Sequence, residues 1–363
     1  MSSGGARRPG TPPRYFQERR VQIYCVSYHG GSMKVLFIGG TGNISASCTS
    51  LAAERGIELV LFRRGTTPEL LPSKVKTIVG DIRDRESASA ALRNQEFEAI
   101  VDFVAYLPDH VETDIALFRG RTRQYVFISS ASVYEKPPAH YVVTESTPVG
   151  NPFWQYARDK IACEERLERA LREEGFPFTI VRPSYTYGET WIPTAMSVHD
   201  YTIVDRMRKG KKIISHGDGQ SLWTLTHASD FAKGLIGLLG NPNCIGERYH
   251  ITSDEVLTWD RIYREIGSAA GVEPDLIHIP SDFIAPFDAR VGASLLGDKS
   301  YSQVFDNTKI KQLVPSFRAT VSFAEGIRRS VEWFEADPSR QAITQGRDDL
   351  MDRIIATYKR ACD

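Results

Sequence analysis

The chain of 363 residues has little cysteine, no excess of either charge and no long apolar run. Its five cysteines form no C-x-x-C pair, which argues against a disulfide framework and favours a reducing compartment, the cytoplasm. Basic and acidic residues both number 45, so net charge gives no reason to expect nucleic acid or an anionic membrane as partner. No apolar stretch approaches the ~20 residues of a membrane span. The eight histidines form no H-x-H or H-x-x-x-H pair, so we predict no metal site.

Residues 1–32 differ in composition from the rest of the chain. The segment is rich in Arg, Pro, Gly and Ser, and Glu18 is its only acidic residue. This composition fits a disordered basic extension, and it also fits a targeting or nucleic-acid-binding arm. We predict the disordered extension, because a buried strand begins directly after Met33.

From Met33 onward, strands alternate with helices. The apolar runs predict strands at 34–38, 57–62, 75–81, 98–106, 124–134 and 178–188, with helices between them that include 85–94 and 153–174. This alternation predicts βαβ units and therefore an α/β fold, a doubly wound parallel (Rossmann) sheet.

The rhythm of the sequence changes after Gly188 and predicts a smaller C-terminal lobe. We assign 33–186 and 222–252 to the Rossmann domain, and 187–221 and 253–337 to the smaller lobe. Residues 338–363 carry an apolar stripe at helical spacing, which predicts a C-terminal helix that docks on the body or on a second subunit.

A glycine-rich loop follows the first strand. Gly39, Gly40 and Gly42 lie between a buried strand and an amphipathic helix, the context of a dinucleotide-binding loop whose backbone N–H groups face a pyrophosphate. Ser45 occupies the third glycine position, where a small residue can still allow close packing of helix and strand. We predict that Gly39 and Gly42 make the turn and the close approach to the ligand.

The end of the second strand bears on the choice of dinucleotide. An NAD site usually has an acidic residue there for the ribose hydroxyls, but this chain has Arg63 and Arg64. A guanidinium suits a 2′-phosphate, which favours NADP over NAD, although both arginines could equally be solvated loop residues. Asp81, after the third strand, is either an adenine contact or a helix cap.

A serine at a strand end and a Y-x-x-x-K motif follow the glycine loop along the chain, and the three together are a strong combined signal. Ser129 and Ser130 end the fifth strand, and Tyr156 and Lys160 share one face of the next helix. An ammonium favours the phenolate form of a nearby tyrosine, which can then exchange a proton with a substrate oxygen.

Together these motifs resemble the extended short-chain dehydrogenases/reductases of the NAD-dependent epimerase/dehydratase kind over about residues 33–335. The resemblance implies that Ser130, Tyr156 and Lys160 are catalytic, that the substrate is a small molecule, and that the chain forms a homodimer through the helix of Tyr156 and residues near 110–120. It also implies a set of cofactor-binding residues, namely Gly39, Thr41, Gly42, Asn43, Ile44, Arg63, Arg64, Asp81, Ile82, Phe103, Ala105, Tyr156, Lys160, Pro183 and Tyr185.

Departures from the family pattern narrow the implied activity. The Asp-Glu pair of the 4,6-dehydratases is replaced by Ala131 and Ser132, and the "SSASVY" stretch is nearest to the 4-epimerase form. Yet the arginines with which those epimerases hold a nucleotide diphosphate are replaced by Trp223 and, at about the second position, Leu295. A nucleotide-sugar substrate is therefore not favoured.

The sequence thus predicts an NAD(P)-dependent oxidoreductase or epimerase acting on a secondary alcohol or ketone, such as that of a sugar derivative. Epimerisation and net redox chemistry both remain open. The alternative is a non-catalytic RNA-binding or scaffold protein, because "SLWTLTHASDFAKG" also resembles the chloroplast stem-loop-binding proteins. The retained Tyr156 and Lys160 and the zero net charge favour the enzyme.

Overall fold

The computed structural model describes Met1 and residues 33–65 and 71–362. Of the predicted extension 1–32, residues 2–32 lie outside the described residues. The strands are β1 (Lys34–Ile38), β2 (Glu58–Arg63), β3 (Lys76–Val79), β4 (Phe97–Asp102), β5 (Thr122–Ile128), β6 (Val142–Val143), β7 (Phe178–Pro183), β8 (Tyr185–Tyr187), β9 (Ile213–His216), β10 (Leu222–Trp223), β11 (Leu225–His227), β12 (Glu247–Ile251), β13 (Leu257–Thr258), β14 (Leu276–Ile279) and β15 (Val304–Phe305). The helices are α1 (Ser45–Glu54), α2 (Arg85–Leu92), α3 (Pro108–Phe118), α4 (Gln155–Glu174), α5 (Thr202–Arg208), α6 (Ala228–Leu238), α7 (Trp259–Ala269), α8 (Ser281–Ile284), α9 (Ala289–Ser294), α10 (Thr308–Leu313), α11 (Phe323–Glu335) and α12 (Gln345–Cys362).

Seven strands form one sheet in the order β12-β7-β5-β4-β1-β2-β3, and every pair in it is parallel. The central strands are buried on both faces, as their continuous apolar sequences require. Strand order reverses at β1, which lies between β2 and β4, so that the carboxyl ends of these strands border a crevice. The predicted doubly wound parallel sheet is confirmed.

Each face of the sheet packs on its own set of helices. One core contains Cys48 of α1, Phe231 of α6 and Ile310 of α10. The opposite core contains Leu92 of α2 and Leu167 of α4, together with side chains of α3. This three-layer arrangement leaves the carboxyl edge of the sheet as the open side.

The second lobe has a core of its own. Trp259 of α7 lies at its centre with no exposed surface, and helices α5, α11 and α12 pack around it. Ile354 and Leu350 of α12 belong to this core, so the C-terminal helix docks on the lobe. That helix spans Gln345–Cys362, which is shorter than the predicted 338–363, because a separate single turn occupies Pro338–Arg340.

The predicted domain bounds remain a prediction, but two segments pack in the other body from the one to which we assigned them. Trp223 and Leu225 contribute to the core of the second lobe, although we assigned 222–252 to the Rossmann domain. Conversely, Ile310 and Val314 pack in a core of the main sheet, although we assigned 253–337 to the lobe. The chain therefore crosses between the two bodies more often than the sequence predicts.

Within the part of the chain that the structure describes, we find no helix with the length and apolar character that a membrane crossing requires.

Candidate active site

A cavity of about 1100 Å³ lies at the carboxyl ends of β1, β2, β4, β5 and β7 and continues between the sheet and the second lobe. The predicted site residues that line it are Gly39, Thr41, Gly42, Asn43, Ile44, Arg63, Arg64, Asp81, Ile82, Phe103, Ser130, Tyr156, Lys160, Pro183 and Tyr185. Ala105, the remaining predicted residue, is buried behind the wall and contributes its carbonyl oxygen to Lys160. The fold therefore brings the residues predicted from the sequence together around one cavity.

The glycine loop contains one packing requirement that the sequence did not predict, at Gly40. Gly39 and Gly40 have φ values of +99° and +103°, which strain any other residue. A Cβ on Gly40 would lie 2.6 Å from a methyl carbon of Leu61, so Gly40 is the glycine that packing demands. Gly42 has no positive φ, and its nearest neighbour would be Ser45 Oγ at 3.5 Å. No contact among the described residues therefore requires a glycine at position 42.

Two side chains fix the shape of this loop. Ser45 Oγ accepts a hydrogen bond from the Gly42 N–H at 2.9 Å, so the serine at the third glycine position has a role of its own. Asn43 Nδ2 donates to Thr186 O at 3.0 Å, and Asn43 Oδ1 accepts from Gly188 N at 2.7 Å. The loop is therefore joined to the chain segment that leads into the second lobe.

Arginines collect at the β2 end of the cavity. Arg63 ends β2 and Arg64 follows it, and Arg83 lines the same cavity with its guanidinium donating to Val104 O. Asp81 Oδ1 accepts from the Arg83 N–H at 2.9 Å, which is a local turn contact. Arg83 was missed by the sequence prediction, which stopped at the "GD" of this loop.

Ser130 and Tyr156 lie side by side at the middle of the cavity. Ser130 follows the end of β5, and its Oγ is 2.9 Å from Ser132 Oγ. Tyr156 is in the first turn of α4, with its ring 5.0 Å from that of Trp154. Burial raises the pKa of Tyr156, and the Ser130 hydroxyl acts in the opposite direction. The phenol is therefore held in its protonated form near neutral pH.

Lys160 is a buried ammonium one helical turn beyond Tyr156. Its Nζ donates to Ala105 O and to Ile128 O, each at 2.7 Å. The same atom lies 5.9 Å from the centre of the Tyr156 ring. Burial lowers the pKa of Lys160 to about 8, so its charge is sensitive to pH in a range where most lysines stay charged.

The end of β4 explains why an Ala105 carbonyl is available to Lys160. The buried Asp102 carboxylate accepts from Val104 N and, at 2.8 Å, from Ala105 N, and these bonds turn the chain out of the sheet. The predicted strand 98–106 is therefore wrong at its end, because β4 ends at Asp102. The continuous apolar pattern could not reveal this turn.

The half of the cavity next to the second lobe is aromatic and basic. Trp191 stacks on His199 with ring centres 4.1 Å apart, and Tyr185 OH is 3.1 Å from His199 Nδ1. Burial, aided by Lys299 and Arg290, lowers the pKa of His199 to about 4, so this imidazole is neutral near pH 7. Arg290 and Lys299 line the same region, and no motif in the sequence marks them.

The two positions at which the family's epimerases carry arginine have different environments. Trp223 lines the cavity, whereas Leu295 is fully buried in the core of the second lobe. Neither position presents a cation. No cluster of three potential metal ligands occurs in Met1, 33–65 or 71–362.

A parallel doubly wound sheet with a glycine loop at the carboxyl edge of β1 defines the class of Rossmann-fold dinucleotide-binding proteins. The model of the NAD dependent epimerase/dehydratase family matches residues 35–252, which is more than half of the chain. The chain belongs to this family, whose members are NAD-dependent enzymes of the extended short-chain dehydrogenase/reductase type, and it is an enzyme of that type.

Relatives with named functions differ among themselves. The chain is 24% identical over 288 residues to 2'-dehydrokanamycin reductase of Streptomyces kanamyceticus, covering 79% of this chain and 80% of that one. It is also 24% identical over 265 residues to the chloroplast stem-loop binding protein of 41 kDa b of Arabidopsis thaliana, covering 69% and 67%. Both kinds of relative bear on the alternatives that the sequence left open.

Solved structures agree with the fold. The dTDP-glucose 4,6-dehydratase of Bacillus anthracis, in complex with NAD, superposes with a TM-score of 0.68 at 18% identity, covering 85% of this chain and 98% of that one. At this identity the likeness concerns the fold alone.

Proposed function

We propose that this enzyme transfers hydride between a nicotinamide dinucleotide and a secondary alcohol or ketone of a sugar or sugar derivative. The observation that carries the proposal is that Ser130, Tyr156 and Lys160 line the same cavity as the glycine loop. The cavity is large enough for a dinucleotide beside a small substrate.

The residues present fit such a cofactor. The glycine loop would hold the pyrophosphate at the N-terminus of α1. Gly42, which the packing of the loop does not require, would leave room for that ligand. Phe103 and Pro183 would border the nicotinamide, and Arg63 and Arg64 at the end of β2 would border the adenosine ribose. When bound, the nicotinamide supplies or accepts the hydride.

Three side chains would handle the proton and the substrate oxygen. The Tyr156 hydroxyl gives its proton to the carbonyl oxygen during reduction, or its phenolate takes the alcohol proton during oxidation. The Ser130 hydroxyl donates a hydrogen bond to the same oxygen. The Lys160 ammonium favours the phenolate by its charge.

Replacement of Tyr156 by Phe tests this assignment. We expect Tyr156→Phe to lower kcat by about 10²–10⁴-fold, because it removes only the proton-transferring hydroxyl. The measurement is NADH or NADPH turnover against a panel of sugar-derived ketones, with cofactor binding followed by fluorescence. Tyr141→Phe is the matched control, since Tyr141 is an exposed tyrosine. Unchanged turnover in Tyr156→Phe would contradict the proposal.

We also propose a preference for NADP, supported by the three arginines at the β2 end of the cavity. A 2′-phosphate there would meet guanidinium groups. We expect NADPH to bind more tightly than NADH, and Arg64→Gln to reduce that preference by about tenfold. Equal affinities of the unmodified enzyme for both dinucleotides, measured by fluorescence titration, would refute the NADP assignment.

Whether the outcome is epimerisation or net redox depends on cofactor release. An enzyme that keeps its dinucleotide can return the hydride to the opposite face of the substrate, whereas one that exchanges it performs net redox chemistry. Mass spectrometry of the nucleotide that co-purifies with the protein separates these cases. The homodimer and the cytoplasmic location also remain predictions.

RNA binding is the second candidate, because a named chloroplast stem-loop binding protein is among the relatives. A gel-shift titration with a stem-loop RNA tests it. Tight, saturable binding that Tyr156→Phe leaves unchanged, together with no affinity for either dinucleotide, would favour this candidate over the enzyme.

A further inference from the structure

The aromatic half of the cavity contains a buried ammonium without a carboxylate ligand. Lys299 is 7% exposed, and its Nζ donates to Ser294 Oγ. The same atom lies 5.6 Å from the centre of the Trp154 ring and 5.4 Å from that of Tyr185. Because Ser294 and both aromatic residues line the cavity, the ammonium belongs to the cavity wall. In the described residues, no acidic side chain comes within ion-pair distance of it.

The nearest acid along the chain, Asp298, is engaged elsewhere. Its Oδ1 accepts from Gln303 Nε2 at 3.0 Å and lies 3.9 Å from the Nζ of Lys136. Lys136 is itself buried, so the Asp298 carboxylate pairs with only one of the two buried ammonium groups, Lys136 and Lys299. The wall therefore carries an excess of one positive charge in a region of low dielectric, where an unmatched charge is costly.

A second cation stands at the rim of the same region. Arg290 of α9 lines the cavity and is exposed. Its guanidinium makes no hydrogen bond or ion pair with the residues that the structure describes. His199, which lies near both cations, is neutral at pH 7 and so does not offset them.

The backbone holds Lys299 firmly in this position. Residues Leu295–Lys299 form a π-helical turn, a feature often found at functional sites. His216 Nε2 is 2.9 Å from Lys299 O, and Ser221 Oγ donates to the same oxygen at 3.1 Å. These contacts fix the residue while its side chain remains available to a ligand.

We propose that Lys299 and Arg290 bind a compact anionic group, a carboxylate or a phosphate monoester, on the polyhydroxylated substrate. This inference rests on the proposed function, because it takes the space between these cations and Tyr156 as the substrate site. Both cations would make charge-assisted hydrogen bonds to the anion, and the indole faces of Trp154 and Trp191 would cover the apolar faces of the sugar ring.

Two other substrate classes fit the site less well, one because of its charge and one because of the residues that are missing. A cationic amino sugar would meet two like charges, of which one is buried. A nucleotide diphosphate would lack the two arginines that hold it in the family's epimerases, since Trp223 and Leu295 occupy those places. A small monoanionic or dianionic sugar satisfies the cations without either conflict.

Calorimetric titration of the NADPH-loaded or NADH-loaded enzyme tests this inference. The probes are glucuronate, glucose 6-phosphate, glucose, glucosamine and UDP-glucose. We expect at least one of the two anionic monosaccharides to bind about tenfold more tightly than glucose, and glucosamine to bind more weakly still. Preference for glucuronate identifies a carboxylate as the anion, and preference for glucose 6-phosphate identifies a phosphate.

Variants connect the selectivity to the two cations. Lys299→Met and Arg290→Gln should each abolish most of the difference between the anionic probe and glucose. Lys209→Met and Arg264→Gln, at exposed positions outside the cavity, are the matched controls and should retain it. Arg290 is exposed, so its variant folds even if Lys299→Met does not; circular dichroism checks both.

Several results would overturn the inference. They are equal or tighter binding of glucose or glucosamine, tighter binding of UDP-glucose than of both anionic monosaccharides, absence of binding by both anionic probes, and unchanged selectivity in Arg290→Gln. Failure of the proposed function has a different signature, because the enzyme would then bind neither dinucleotide in the fluorescence titration. Repeating the titrations of the five sugars without cofactor then shows whether the anion selectivity persists independently of dinucleotide binding.

Discussion

Three lysines show how single residues acquire properties that their sequence positions do not reveal. Lys136, Lys160 and Lys299 are all buried, and burial lowers the pKa of each. The Y-x-x-x-K spacing predicted Lys160, because the i, i+4 rule is local. Lys299 could not be predicted, because its aromatic neighbours are Trp154, directly before α4, and Tyr185 of β8, both far away in sequence.

The depressed pKa of Lys160 predicts the pH dependence of catalysis. Below pH 8 the ammonium is charged, and above it the charge is lost. We therefore expect kcat/KM for ketone reduction to fall as pH rises through about 8, well below the ordinary pKa of lysine. A pH profile of the purified enzyme measures this, and a level profile from pH 7 to 10 would contradict the role of Lys160.

Lys160 also gives stability a definite pH trend. Its folded pKa of about 8 lies below the ordinary value of 10.5, so between these values the unfolded chain binds more protons. The contribution of this residue to the free energy of unfolding accordingly rises with pH across that window. Burial also lowers the pKa of Lys136 and of Lys299, so their contributions to the free energy of unfolding likewise rise with pH.

At the scale of elements, the glycine loop was predictable in outline and not in detail. The buried strand, the glycines and the amphipathic helix together located it. The role of Gly40 depends on Leu61 in the neighbouring strand β2, a tertiary contact that no local pattern contains. The end of β4 at Asp102 escaped prediction for the same reason, since a single side chain there binds the backbone beyond it.

Two substitutions in this loop should separate folding from cofactor binding. Gly40→Ala places a methyl group against Leu61 at φ +103°, so we expect a loss of about 2–4 kcal/mol in the free energy of unfolding. Gly42→Ala meets only an ordinary contact, so it should change stability by less than about 1 kcal/mol. It should instead weaken dinucleotide binding by about tenfold or more, because its methyl group intrudes where the ligand approaches.

Urea denaturation and fluorescence titration of both variants check this division. A Gly42→Ala enzyme that binds the dinucleotide normally would show that the loop does not approach the ligand at this position. A Gly40→Ala enzyme as stable as the unmodified chain would show that β2 can move to accommodate the methyl group.

At the scale of the whole molecule, the chain builds two cores, and the cavity lies where they meet. The alternation of strands and helices predicted the first core well. The second depends on pairings between distant segments, such as Arg206 of α5 with Asp348 of α12, which are 142 residues apart. The apolar stripe predicted that α12 docks somewhere, but its partner follows only from the fold.

Arg206 should therefore be a main determinant of lobe stability. It is 1% exposed and pairs with Asp348 at 2.6 Å and with Asp352 at 2.5 Å. Arg206→Gln leaves the nearly buried Asp348 with Lys211 as its one cationic partner among the residues that the structure describes, so we expect a loss of about 3–5 kcal/mol. Arg328→Gln, which removes an exposed ion pair, should cost less than about 1 kcal/mol.

The pH dependence of unfolding distinguishes this ion-pair cluster from simple loss of packing. Burial alone would raise the pKa of Asp348, but hydrogen bonds from Lys211 and Arg206 lower it below the usual 3.8. Its stabilising contribution is therefore complete above about pH 4 and is lost as pH falls through the lower folded value. We expect Arg206→Gln to make the free energy of unfolding, obtained by urea denaturation from pH 7 down to pH 2, fall less steeply with decreasing pH. If the variant were less stable by the same amount at every pH, the arginine would act through its packed side chain rather than through its charge.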